Sequence, residues 1–85
     1  MNKPTELMTK NHQIEACYRL FGAKIEQTRT VLGWTQEELG KKVHLTRASI
    51  ANIEAGKQRI LLHDVEKFCA AFGVQPKTLL RGLWI

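Results

Sequence analysis

Apolar side chains recur along this chain at helical spacing. Ile14, Tyr18, Phe21, Ile25 and Leu32, with Thr28 filling the gap, follow steps of three, four and seven, which predicts a long amphipathic first helix. Gly33 supplies its stop, because a residue without Cβ tolerates the left-handed conformation that commonly closes a helix. Thr35 then opens Thr-Gln-Glu-Glu. In this capping box the hydroxyl takes the amide three residues on and Glu38 reaches back, so a second helix of about two turns begins, with Leu39 and Val43 inward. Thr46 is the next cap; a third helix from Arg47 to about Ala55 points Ile50 and Ile53 inward, and Gly56 ends it.

Leu62, Val65, Phe68, Cys69 and Phe72 predict a fourth helix stopped at Gly73. Pro76 opens a short fifth, since proline at the first helical position gives up only an amide that was unpaired anyway; Leu79 and Leu80 anchor it and Gly82 closes it. No segment alternates with period two over strand length, so the expected fold is all-α with five helices. Residues 1–13 are polar, contain Pro4 and lack a sustained apolar period. They read as a flexible N-terminal arm, with 14–85 as the folded domain.

Length and composition narrow the classes. An 85-residue chain with 44% hydrophobic and 25% charged residues suits one small globular domain and excludes wholesale disorder. Apolar runs such as Ile60-Leu61-Leu62 fall far below the roughly 20 residues that span a bilayer, and no signal-peptide core follows Lys3 and Lys10, so the cytoplasm is expected. Cys17 and Cys69 stand apart without metal-ligand spacing and read as reduced, core-filling thiols; no metal or cofactor is called for. Net charge is +5, unevenly spread. Residues 41–59 set Lys41, Lys42, Arg47, Lys57 and Arg59 against Glu54 alone, so an anionic partner is expected there.

Two short helices with apolar residues at Leu39, Val43, Leu45, Ile50 and Ile53 can pack at a steep angle across a tight turn. Gly40 is expected to face the second helix of the pair and permit close approach. The outer side of the third helix is then Arg47, Ala48, Ser49, Ala51 and Asn52. At these residues the chain resembles the helix-turn-helix family of phage-repressor and Cro-like regulators, often called XRE-like, over about 20–82. The resemblance is strongest in Leu-Gly-Trp-Thr-Gln-Glu-Glu-Leu-Gly-Lys-Lys-Val from Leu32 and in Leu-Thr-Arg-Ala-Ser-Ile-Ala-Asn-Ile-Glu-Ala-Gly-Lys from Leu45.

The resemblance implies a compact repressor-type domain that places the third helix in the major groove of double-stranded DNA. Arg47 and Asn52 would read bases, since arginine matches guanine O6 and N7 and asparagine matches adenine N6 and N7; Ala48 suits a thymine methyl and Ser49 bases or phosphate. Gln36 and Thr46 at helix starts, and Lys57, Gln58 and Arg59 after the third helix, would hold the backbone. The family also pairs an arginine at the position of Arg29 with a glutamate at that of Glu54, which would fix the recognition helix while Arg29 still faces the DNA.

Two departures stand out. His44 occupies a turn position that usually prefers glycine with positive φ, and Ile60-Leu61 stands where the family often has proline or a polar helix cap. The apolar ending Leu83, Trp84 and Ile85 either folds back onto the core or joins Ile60, Leu61, Leu79 and Leu80 in a dimer seam. A homodimer suits a short recognition helix, because a two-fold pair spans half-sites about 34 Å apart. The expected function is a sequence-specific DNA-binding transcriptional regulator, most simply a repressor. The alternative is an antitoxin-type module that holds a toxin protein and regulates its own operon. An enzyme has no catalytic constellation in its favour: His12, His44 and His63 fall in unrelated elements.

Overall fold

The computed structural model describes the backbone of residues 3–83 and the side chains of 14–83. It contains α1 (Lys3–Val31), α2 (Gln36–Val43), α3 (Arg47–Glu54), α4 (Leu62–Phe72) and α5 (Pro76–Leu80), and no strand among the described residues. Trp84 and Ile85 lie outside them. Helix α1 begins well before the apolar period that announces it. Thr5–Gln13 holds no proline or glycine, so nothing there breaks a helix once the backbone has turned. At its other end, Gly33 takes φ 77° and lets the Trp34 amide bond back to the Arg29 carbonyl at 3.0 Å and its own to Thr30 at 3.0 Å.

The core is contributed by every helix: Phe21 and Ile25 of α1, Leu39 and Val43 of α2, Ile50 and Ile53 of α3, Phe68 and Cys69 of α4, and Leu79 of α5. An aromatic row crosses it. Trp34 stacks on Phe72 at 5.8 Å between ring centroids, Phe72 on Phe68 at 6.2 Å, and Phe68 meets Phe21 edge-on at 6.1 Å. Such pairs favour offset or edge contacts because the ring faces are negative and the edges positive.

The predicted stripes differ from the core at their ends. Ile14, Leu32 and Leu62 are exposed, although each continues a helical period: Leu32 follows the last residue of α1, and Ile14 and Leu62 border a groove between helices. Gly22 is the reverse case, an unremarkable glycine in sequence and the closest crossing in the fold. A Cβ there would strike the Ile53 carbonyl and lie 2.8 Å from that of Glu54, so α1 and α3 touch through backbone. Gly40 also permits close approach, but to the turn rather than to α3: its Cβ would come within 2.5 Å of the Leu45 carbonyl. Cys17 and Cys69 are both free thiols, and burial pushes the Cys69 thiol pKa up.

Candidate nucleic-acid interface

Local chemistry sets both helix starts of the α2–α3 pair. The Thr35 hydroxyl accepts from the Glu38 amide at 3.0 Å, and the Thr35 amide donates to Glu38 Oε1 at 2.7 Å, completing the box. The Thr35 backbone hydrogen bond holds the Glu38 carboxyl below its ordinary range against the opposing effect of desolvation, with further help from the Thr35 side chain and then Lys42 and Lys41. The Thr46 hydroxyl accepts from the Ser49 amide at 3.0 Å. Between the helices, His44 sits in the left-handed region at φ 61°, ψ 40°, and the Leu45 amide bonds the Gly40 carbonyl at 2.9 Å. Histidine thus makes the turn expected of it, in a conformation that crowds its Cβ.

This turn leaves α3 with two distinct sides. Ile50, Ile53 and Glu54 are buried, while Arg47, Ala48 and Asn52 are exposed and Ser49 and Ala51 half-buried. No side-chain hydrogen bond ties Arg47 or Asn52 to the domain among the described residues, so both are free to meet a ligand. Exposed Lys57 follows on the loop after α3, beside half-buried Gln58.

Glu54 closes α3 and anchors it. Its Oε2 accepts from Arg29 Nε at 2.7 Å, and its Oε1 accepts from Arg29 Nη2 at 3.1 Å and from Gln36 Nε2 at 3.0 Å. Arg29 Nη1 donates to the Trp34 carbonyl at 2.7 Å. The side chains of Arg29 and Glu54 are only 14% and 4% exposed. Their hydrogen bond raises the guanidinium pKa above its ordinary value despite the burial that lowers it. The expected structural pair is therefore present. Arg29 and Gln36, expected also at the DNA backbone, are engaged internally, because a buried carboxylate attracts every donor within reach.

Arg59 likewise has an internal neighbour, its guanidinium 5.5 Å from the Tyr18 ring centroid, and Lys42 Nζ lies 4.5 Å over Trp34. Neither pair was legible in sequence, since each joins separate elements. Of the residues expected at a dimer seam, Leu79 is buried in the core and unavailable: it faces inward on α5. Leu61 is 61% exposed, and Ile60, Leu80 and Leu83 are half-buried beside a groove. No cluster of three or more His, Cys, Asp or Glu able to hold a metal occurs among the described residues, nor does a helix long and apolar enough to cross a membrane.

A left-handed turn between two short capped helices, with the second offering a free polar face, defines a helix-turn-helix domain. The helix-turn-helix family model matches residues 25–79, and the chain belongs to that family: it is a DNA-binding transcriptional regulator. Among its relatives, control protein C.BamHI of Bacillus amyloliquefaciens is 42% identical over 62 residues, covering 72% of this chain and 76% of the relative. The restriction-modification controller protein C.AhdI from Aeromonas hydrophila superposes with a TM-score of 0.72 at 28% identity, over 75% of this chain and 97% of its own. The hypothetical transcription factor NHTF from Neisseria superposes with a TM-score of 0.71 at 31% identity, over 75% of this chain and 74% of its own.

Proposed function

We propose that this regulator is a repressor-type control protein of a restriction-modification system, working in the cytoplasm on double-stranded operator DNA through residues 14–85, with 1–13 as an arm. The observation that carries the reading is the exposed, unbonded face of α3: Arg47, Ala48 and Asn52, with Ser49 at its edge. In the major groove these residues read bases by hydrogen bonds and methyl contact. Gln36, Thr46, Lys57, Gln58, Arg59 and Arg29 approach phosphates, Gln36 and Arg29 while still bound to Glu54. The similarity to C.BamHI and C.AhdI supports the restriction-modification assignment and favours regulation over the toxin-holding alternative.

Eight residues of recognition helix cover one half-site, so the working form is a homodimer, with Leu61 the exposed seam residue. Selection of bound sites from random duplexes tests the reading: a palindromic consensus is expected. Failure to enrich any sequence over bulk duplex overturns it. Sedimentation with and without the selected site tests the dimer, which a monomer in both conditions rules out.

A further inference from the structure

A groove of about 730 Å³ lies between the middle of α1, the start of α4 and the end of α5. Ile14, Tyr18, Phe21, Ile60, Leu62 and Val65 supply much of its wall, and Arg59 is the one charged residue among the described residues that line it. A smaller recess of about 170 Å³ adjoins it. Ile14, Tyr18 and Arg59 border both, and the recess adds Lys57 and Gln58, with Glu15 as the single carboxylate among the described residues there. Apolar walls thus lead to an end where two cations face one acid. The Arg59 guanidinium is held at the junction by the Tyr18 ring.

We propose that groove and recess together bind one small amphipathic anion, an apolar chain ending in a carboxylate, and that it competes with DNA phosphate for Lys57 and Arg59. The volume falls within the roughly 300–1,000 Å³ of small-molecule sites, which are mostly apolar with a few placed polar groups. Charge complementarity selects the head: a carboxylate pairs with Arg59, whereas a neutral chain leaves that cation without a counter-charge. The competition follows because the same loop is assigned to the DNA backbone. That half rests on the function proposed above; the ligand site does not.

Calorimetry of the full chain with decanoate below its micelle range, against 1-decanol and acetate, separates the contributions of chain and head. Decanoate is expected to bind at a single site about tenfold more tightly than 1-decanol, with no binding of acetate. Arg59→Ala removes the preference for the carboxylate. Leu62→Glu, at a position 83% exposed and outside the DNA-facing set, abolishes decanoate binding and leaves duplex affinity unchanged. Decanoate also displaces wild-type protein from its selected duplex. Equal affinity for decanoate and 1-decanol, no heat with decanoate, or binding without displacement overturns the proposal. So does a Leu62→Glu change from dimer to monomer in sedimentation with no decanoate binding by wild type, which makes the groove a subunit interface. If free protein binds no duplex, the function proposed above fails, and calorimetry alone then decides the ligand site.

Discussion

Arg29 and Glu54, 25 residues apart in sequence, meet through two hydrogen bonds in a nearly dry corner where α1, α2 and α3 converge. With Gln36 as the third donor, one carboxylate fastens the recognition helix to both of its neighbours.

Removing that carboxylate leaves a mostly buried guanidinium unpaired. Glu54→Ala is expected to destabilise the domain by about 3 kcal/mol, a large share of the stability of a chain this small. Urea unfolding measures it. A double-mutant cycle with Arg29→Ala should show strong coupling, and additive losses would refute the anchoring role.

The α1–α3 crossing predicts a sharp contrast between glycines. Gly22→Ala drives a methyl into the carbonyls of Ile53 and Glu54 and should cost about 3 kcal/mol, the upper end for overpacking. Gly73→Ala meets open space at φ 72° and should cost only about 1 kcal/mol. Thermal unfolding of the two variants distinguishes them.

His44 predicts a stabilising change. His44→Gly relieves the left-handed strain but frees the unfolded chain, for a net gain of about 0.5–1 kcal/mol, whereas His44→Ala gains nothing. Denaturant midpoints for both variants check the order.

The capping box gives a pH dependence. Glu38 has a carboxyl pKa depressed in the folded state, chiefly by the Thr35 amide, so its contribution is present above the ordinary value of 4.5 and is lost as pH falls through the depressed one. The stability gap between wild type and Glu38→Ala should be constant near neutrality and close on acidification. Thr35→Ala should cost about 1 kcal/mol.

On DNA, Arg47→Ala and Asn52→Ala should each relax preference at particular base pairs, losing roughly 1–3 kcal/mol of discrimination. Lys57→Ala should weaken all duplexes alike and reduce the salt slope by about 1. Binding titrations across salt concentrations and site variants separate the two behaviours; uniform losses from all three substitutions would defeat the assignment of base readers.

Features that depend on near neighbours in sequence could be read directly. The Thr35–Glu38 box, the Thr46 cap and the turn at His44 each involve residues a few positions apart, and their spacing determines their geometry. The Arg29–Glu54 pair followed from family resemblance alone. Features set by how helices cross could not be read: Gly22 carries no pattern of its own, and the Arg59–Tyr18 and Lys42–Trp34 pairs join separate elements. Periodicity likewise could not show which positions of a stripe stay uncovered, as Ile14, Leu32 and Leu62 do.

The division of α3 has an evolutionary consequence. Arg47, Ala48 and Asn52 are exposed and make no side-chain hydrogen bond or ion pair among the described residues, while Ile50, Ile53 and Glu54 are buried and hold the domain together. With the base-reading role proposed for these three residues, point changes at them shift operator preference while sparing the fold, so that a lineage can exchange one recognition code for another without rebuilding its scaffold.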